Sequence, residues 1–366
     1  MPINSNLAVG YRIPMLIAGF ISLAAGIYIG LLRIGWNLPL QAAPQLSLHA
    51  PLMVCGFLGT VISLERAVAI GQRWAYSAPL AAAIGALLLM TGQPWWLGAM
   101  CMVFASAILS VASGLIFLKQ RELFTFTLLL GSLAWFSGCT LWLFGFNMLQ
   151  VMPWWMGFLT LTIFGERLEL SRFLKTSRGS KVIFSIALCL FFIGAAIASF
   201  SAVPDFRFLS TALAVMTLWL IRNDIVRHTI KQQGLTRFIA VALASGYLWL
   251  LAGAVIGLTV PYLSYGSSYD AYTHAIFLGF VFCMIFGHAP IIFPAIAKIK
   301  IPYQPTFYLP LALLHLSLLL RTSGDLLYLA DLRKAGAALH AITIVLFILV
   351  LARSVSTNKR IVLYTK

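Results

Sequence analysis

Charged residues are scarce in this chain, and acidic residues are the scarcest. Nine Asp and Glu stand against 25 Lys and Arg among 366 residues, and these four types make up only 9% of the sequence. Soluble domains average about 25% charged residues, so this composition excludes an ordinary soluble fold. The mean hydropathy of +0.97 and the hydrophobic content of 61% agree. The sequence therefore predicts an all-α, polytopic membrane protein.

Cysteine is also scarce, and its five occurrences form no metal-binding pattern. They contain no Cys-x-x-Cys pair and fall at Cys55, Cys101, Cys139, Cys189 and Cys283. This spacing excludes a disulfide framework or a zinc site of the usual kinds. We expect these cysteines to be small buried side chains within the spans.

Long apolar runs are what the chain has in abundance. A helix of about 17–25 apolar residues is long enough to cross a bilayer. Twelve such runs occur, near residues 13–31, 47–70, 76–92, 95–117, 123–144, 151–170, 181–200, 206–222, 237–259, 270–292, 305–320 and 335–353. The first run lacks a clear cleavage site for a signal peptidase, so we expect it to remain as a span. Residues 1–366 are interpreted as one integral membrane domain.

The basic residues follow the predicted topology. With twelve spans, all but five of the 25 Lys and Arg fall on one side of the membrane; the five others are Arg33, Arg207, Arg321, Arg333 and Lys334. By the positive-inside rule, both termini are then cytoplasmic. The net charge of +16 is interpreted as a topology signal. The expected partner is the lipid bilayer and not a nucleic acid.

A short pattern recurs at intervals of four spans. A Gly-Phe dipeptide is followed, nine positions after its glycine, by an ionisable residue in three places: Gly56 with Glu65, Gly157 with Glu166, and Gly279 with His288. The pattern favours three pseudo-repeated four-helix units, at 1–121, 122–235 and 236–366. It also predicts that helices 2, 6 and 10 are the most internal helices.

Two histidines enter inward-running helices with the same dipeptide. His49-Ala50 opens helix 2, and His274-Ala275 lies about one turn into helix 10, so both should lie at a similar depth near the outer face. Two neutral imidazoles at one depth are suitable axial ligands for a haem iron. On the same side, Arg321 and Arg333 could bind the haem propionates. Packed, hydrogen-bonded histidines and two independent sites are the alternatives.

A second group of ionisable residues is predicted toward the inner face. His288 follows His274 by fourteen residues, or about 21 Å of helical rise, so these two histidines cannot share one metal ion. His315 returns on helix 11 to a depth similar to that of His288. His288 with His315, joined by Glu65 or Glu166, is a candidate second metal or proton-relay site.

The histidine segments resemble those of a known family. HAPLMVCGF at 49–57 is similar to an early His-Ala motif of NnrS proteins, and HAIFLGFVFCM at 274–284 resembles their later motif. NnrS proteins are bacterial twelve-span membrane proteins associated with haem, copper and resistance to nitric oxide. The resemblance implies a bacterial inner-membrane location and haem b, with copper as a second candidate cofactor.

The layout also resembles the catalytic subunit of haem-copper oxidases, which holds a haem between histidines of helices 2 and 10. That resemblance implies His49 and His274 as the axial pair, with Arg321 and Arg333 facing propionates. The chain departs from the oxidase pattern at Tyr272, where a second haem ligand would stand, and predicted helices 6 and 7 contain no histidine. A binuclear site for reducing oxygen or nitric oxide is therefore not expected.

Two functional classes follow from the sequence. The first is a haem-binding protein in nitric oxide stress or membrane electron transfer, with a quinol or an electron-transfer protein as its partner. If it turns over a substrate, it would be a haem-dependent membrane oxidoreductase. The second is a proton-coupled transporter of small solutes without a cofactor, which Glu65, Glu166 and His288 favour.

Overall fold

The computed structural model is built from helices. It describes residues 6–39, 46–174, 176–260 and 266–364, with side chains described as far as residue 356. Within these ranges there is no strand, which confirms the predicted all-α fold. Both chain ends, 1–5 and 365–366, lie outside the described residues.

Eleven of the described helices are long and apolar enough to cross a membrane. Together with one shorter helix they are numbered α1 (Val9–Arg33), α2 (Leu46–Ile70), α3 (Arg73–Met90), α4 (Trp95–Lys119), α5 (Leu123–Leu143), α6 (Met148–Phe173), α7 (Arg178–Phe200), α8 (Arg207–Asn223), α9 (Gly234–Thr259), α10 (Ser267–Ala297), α11 (Pro305–Leu326) and α12 (Ala330–Ser356). Helix α8 has 17 residues, at the short end of the spanning range. The chain is a multi-pass membrane protein.

Local sequence signals set where several helices begin and end. Gly71 adopts a left-handed conformation with φ 70° at the end of α2, and its N–H donates to the Ala67 carbonyl. The Ser177 hydroxyl accepts the Ser180 N–H at the start of α7. Before α8, Asp205 accepts the backbone N–H of Arg207 at 2.9 Å. The Arg207 side chain also donates to this carboxylate and lowers the pKa of Asp205.

The chain divides into two compact units. The first comprises Met1–Thr162 with Ile292–Ile299, and therefore holds α1 to α5 and the start of α6. One hydrophobic cluster in this unit joins α1, α2 and α10 through Met15, Leu64 and Ile296. Beside it, the buried Arg12 guanidinium donates to the Leu7 carbonyl at 2.8 Å and to the Ile296 carbonyl at 3.3 Å. These bonds satisfy a charge that would otherwise be costly to bury.

The second unit comprises Ile163–Ile291 with Lys300–Lys366. Within it, α7 packs on α8, α8 on α9, α9 on the middle of α10, and α11 on α12. Aromatic rings fill the interior; Phe286 of α10, for example, stacks on Phe347 of α12 at a centroid distance of 3.9 Å. The unit contains the histidines of α10, α11 and α12.

The helices that the repeated pattern singled out are the most buried of the eleven described spans. In their most apolar stretches, 83% of the residues of α6, 61% of α10 and 56% of α2 are buried, against 50% or less in each of the others. A helix that is apolar on every side and also buried belongs to an interior. This ranking agrees with the expectation for helices 2, 6 and 10.

Candidate functional site

His49 lies half-buried at the start of α2 and is held by α1. Its Nδ1 lies 2.7 Å from the Gly26 carbonyl oxygen. One turn further along α1, a Cβ at Gly30 would lie 2.9 Å from Cε1 of the imidazole, so the absence of a side chain there makes room for the ring. A carbonyl can only accept, so Nδ1 carries the proton. The ring lone pair is therefore on Nε2, the atom that a metal ligand would use.

His274, in the second unit, also has its Nδ1 beside a backbone carbonyl, but here the carbonyl belongs to its own helix. Its Nδ1 lies 2.7 Å from the carbonyl oxygen of Asp270, one turn earlier in α10. The side chain is half-buried. Nδ1 again carries the proton and Nε2 the lone pair. In many metal proteins the ligating histidine is oriented by a carbonyl in this way. The structure thus prepares both predicted ligands in the same tautomer.

Each of these histidines is followed by a π-helical segment. Pro51–Gly59 begins two residues after His49, and Ala275–Phe282 begins directly after His274. In the described part of the chain no other π-helix occurs. Such segments are rare and are frequently found at functional sites. Sequence reasoning missed them, and its one hint was the repeated His-Ala and Gly-Phe spacing.

Arg321 and Arg333 lie close together because both form ion pairs with the same two aspartates. Arg321 donates to Asp325 at 2.9 Å and lies 3.2 Å from Asp270, while Arg333 lies 2.5 Å from Asp270 and 2.6 Å from Asp325. We call these four residues the α10–α12 ion-pair cluster. Two carboxylates balance two guanidiniums, so the cluster has no net formal charge. It adjoins His274, because Asp270 also supplies the carbonyl that holds that imidazole.

Two glycines make this cluster possible by letting α11 and α12 approach closely. A Cβ at Gly324 would lie 2.8 Å from Cα of Arg333, and a Cβ at Gly336 would lie 2.8 Å from Cα of Arg321. Small residues at such crossings let membrane helices pack backbone to backbone. The backbone of each arginine therefore lies where α11 and α12 are closest, and from there its side chain reaches both aspartates.

His340 of α12 is a buried residue near the same cluster. Its ring is hydrogen-bonded to the Gly336 carbonyl, and it lies within electrostatic reach of His274 and Arg321. Its Nε2 is buried and has no hydrogen-bond partner. Buried polar atoms are usually paired. The unpaired Nε2 of His340 is therefore an exception, and it adds a second buried imidazole to the region around His274.

The residues of the predicted second site are divided between the two units. Glu65 lies in the first unit, and Glu166, His288 and His315 lie in the second. His288 Nδ1 lies 2.9 Å from the Met284 carbonyl, whereas His315 Nδ1 accepts the Trp249 indole N–H at 3.0 Å. Among the described residues, no three or more His, Cys, Asp or Glu are grouped to hold a metal ion.

A buried ion pair that sequence reasoning missed lies beside Glu166. Arg167 donates from Nε and Nη2 to the two carboxylate oxygens of Asp224, each at 2.8 Å. The Tyr247 hydroxyl donates to the same carboxylate, and both charged side chains are buried. Arg167 and Asp224 are 57 positions apart, so spacing along one helix could not reveal their pairing. Both lie within electrostatic reach of His288.

Comparison with known proteins gives one family. The family described as a domain of unknown function (DUF8744) matches residues 12–356, which include every residue of the sites above. No curated protein sequence matches the chain.

Proposed function

We propose that this chain, which belongs to the DUF8744 family, is a haem-binding integral membrane protein of NnrS-like type. The observation that carries the proposal is the shared construction around His49 and His274. Each Nδ1 is bonded to a backbone carbonyl, and each histidine is followed by a π-helical segment. His288 and His340 also bond to a backbone carbonyl, so the feature that distinguishes His49 and His274 is the π-helical segment that, within the described residues, follows only these two histidines.

The side chains fit a haem iron better than they fit most other metals. Imidazole Nε2 with a carbonyl behind Nδ1 is a common iron-ligating arrangement. The described residues offer no cluster of carboxylates or thiolates of the kind that would hold zinc or calcium. We propose His49 and His274 as axial ligands. Haem b would supply one-electron redox chemistry, and the imidazoles would keep its iron low-spin.

Arg321 and Arg333 are the proposed propionate-binding residues. Both are already paired with carboxylates in the α10–α12 ion-pair cluster, so a propionate would have to compete with an aspartate. Asp270 is the more accessible competitor, because its side chain is 21% exposed and that of Asp325 is fully buried. Exchange at Asp270 would keep each guanidinium bound to an acidic group.

The proposed setting is the bacterial inner membrane, with both termini cytoplasmic. Iron with two imidazole ligands suits electron transfer, so a quinol or an electron-transfer protein is the proposed partner. A role in nitric oxide stress would require one histidine to dissociate and open a coordination position. His288, His315, Glu65 and Glu166 are the proposed second site, for copper or for protons.

One observation favours the second candidate function, a proton-coupled transporter. Arg167 and Asp224 are buried near His288 and Glu166 at the end of α6. Ionisable groups inside membrane segments commonly mark proton or ion pathways. In that case the protein would bind no haem, and its histidines would exchange protons.

An absorption spectrum of the purified protein tests the haem proposal. Oxidised and reduced wild-type protein should show the bands of a low-spin b-type haem. His49→Ala and His274→Ala should each abolish those bands, because loss of either imidazole would leave the iron with only one of its two histidine ligands. His340→Ala is the matched control on a neighbouring helix and should keep the low-spin spectrum.

The outcomes separate the two functions. If both single mutants keep the wild-type spectrum and the same ratio of haem to protein, His49 and His274 are not the ligands. If wild-type protein supplied with haem during expression shows no haem absorption, the transporter becomes the better explanation. Proton-coupled uptake by reconstituted vesicles would then be the measurement to make.

A further inference from the structure

A pair of buried cysteines lies in the first unit, and one of them, Cys55, is six residues beyond His49 on α2. Cys55 of α2 and Cys139 of α5 have their Sγ atoms 3.8 Å apart. Neither side chain is exposed. Cys55 lies in the middle of the π-helical segment Pro51–Gly59. Two thiols on different helices therefore meet in the protein interior, and neither the haem proposal nor the transporter proposal uses them.

The indole of Trp135 holds one of these sulfurs in place. Its Nε1–H donates to Cys55 Sγ at 3.3 Å. The ring is fixed on one face by Phe158, which stacks on it at a centroid distance of 4.7 Å. On the other helix, a Cβ at Gly59 would lie 2.8 Å from Cη2 of the indole, so the glycine makes room for it. Trp135 thus supplies a fixed donor to a sulfur that would become an anion during reaction.

We propose that Cys55 and Cys139 form a reversible dithiol–disulfide couple that transfers two electrons to small, neutral oxidants dissolved in the membrane. Two S–H bonds break and one S–S bond forms. The two electrons and two protons pass to the oxidant, as when an N=N double bond is reduced to a hydrazine. The sulfurs must approach from 3.8 Å to about 2.0 Å. Reactant and product are both uncharged, so the apolar surroundings do not oppose the change.

The burial of the pair selects the kind of oxidant. Both sulfurs are enclosed by protein, so a charged or bulky reagent is kept from them, while a small neutral molecule can diffuse between the helices. A transient thiolate on Cys55 would be stabilised by the hydrogen bond from the Trp135 N–H. The same geometry therefore predicts both a selectivity for oxidant and a positioning residue.

Thiol counting in the intact protein tests the couple. The wild-type protein in lipid nanodiscs is treated with diamide, which is small and neutral, or with oxidised glutathione, which is charged. It is then denatured, alkylated and analysed by mass spectrometry. Diamide should lower the number of alkylatable thiols from five to three, because a disulfide joins Cys55 to Cys139. Mass spectrometry should then detect the two cysteine-containing peptides linked by that disulfide. Oxidised glutathione should leave that pair reduced, and dithiothreitol added to the denatured protein should restore all five thiols.

Three results would overturn the proposal. These are five alkylatable thiols after diamide, a link that joins a different pair of cysteines, or equal oxidation of Cys55 and Cys139 by both reagents. Cys55→Ser and Cys139→Ser should each keep four alkylatable thiols. Trp135→Phe retains an aromatic ring but loses the N–H, so it should slow formation of the link at least severalfold without changing which cysteines join. An unchanged rate in this variant would show that the Trp135 N–H does not assist the reaction of Cys55.

Discussion

At the scale of single residues, the direction of one hydrogen bond decides what each histidine can do. His49, His274 and His288 have Nδ1 beside a carbonyl oxygen, so Nε2 carries the lone pair. His315 has the opposite tautomer, because its Nδ1 accepts the N–H of Trp249. A ligand role thus fits the first three histidines directly, whereas His315 would have to turn away from the tryptophan first.

The buried pair of Arg167 and Asp224 gives a prediction about stability. Asp224→Asn preserves the shape of the side chain but leaves the Arg167 charge unpaired in the interior. We expect the free energy of unfolding to fall by about 3–5 kcal/mol. Asp205→Asn is the matched control, because its partner Arg207 is 58% exposed, and it should change stability by less than about 1 kcal/mol.

Thermal or denaturant unfolding in detergent measures both variants. Equal losses of stability in Asp224→Asn and Asp205→Asn would show that burial does not make the first pair more important. Because Tyr247 and Ser171 also donate to Asp224, a second variant, Tyr247→Phe, should give a smaller loss than Asp224→Asn.

The sequence points to His49 and His274 as candidate ligands but not to all of their surroundings. The His-Ala echo led to His49 and His274 because it is a local pattern. The sequence predicts Arg321 and Arg333 as propionate-binding residues on one side of the membrane, but it does not predict their ion pairs, since Asp270 is 51 positions from Arg321. Long-range pairing depends on how helices pack, and that information is spread over many weak signals such as Gly324 and Gly336.

At the scale of helices, α1 serves as the support for His49. Gly26 offers the carbonyl, and Gly30 offers the space beside the ring. Neither role could be read from the sequence, because a glycine in an apolar helix has many other uses. The same holds for the π-helical segments, whose residues have the composition of an ordinary apolar helix.

Gly30→Ala should disturb His49, the proposed ligand, without disturbing the helix. Its new Cβ would lie 2.9 Å from Cε1 and 3.0 Å from Nδ1 of His49, so the imidazole has to turn and lose its carbonyl partner. We expect a weakened low-spin haem spectrum. Gly10→Ala on the same helix meets no atom within 4 Å and should leave the spectrum unchanged, with the helix stabilised by up to about 1 kcal/mol.

A spectrum in Gly30→Ala that matches wild type would mean that the His49 ring does not need this position to bind iron. A spectrum lost equally in both glycine variants would point to general damage to α1. Only a difference between the two variants supports the role of α1 in holding the His49 ring.

At the scale of the whole molecule, composition and hydropathy were sufficient for the fold class. The predicted spans fall on α1 to α12, including the short α8, because apolar length is a strong and local signal. The sequence could not show that the chain divides at Thr162 and Ile163, within α6. That boundary depends on which helices contact one another, and the four-span repeat carried no information about it.

The charge asymmetry predicts which loops face the cytoplasm. Asp331 is exposed at the start of α12, and Gln232 is exposed between α8 and α9. In a Cys189→Ser background, Asp331→Cys should react with a membrane-impermeant thiol reagent added outside intact cells. Gln232→Cys should react only after the cells are opened. The reverse pattern would mean that the termini are not cytoplasmic.

The balance of charge in the α10–α12 ion-pair cluster has a consequence for the response to the membrane potential. Asp270, Arg321, Asp325 and Arg333 sum to zero formal charge, so the field across an energised membrane does no net work when they move together. Removing one cation, as in Arg321→Gln, would leave a net charge of −1. That charge would couple to the membrane potential by up to about 2.3 kcal/mol per 100 mV. The two aspartates thus cancel the charge that the two arginines would otherwise expose to the membrane field.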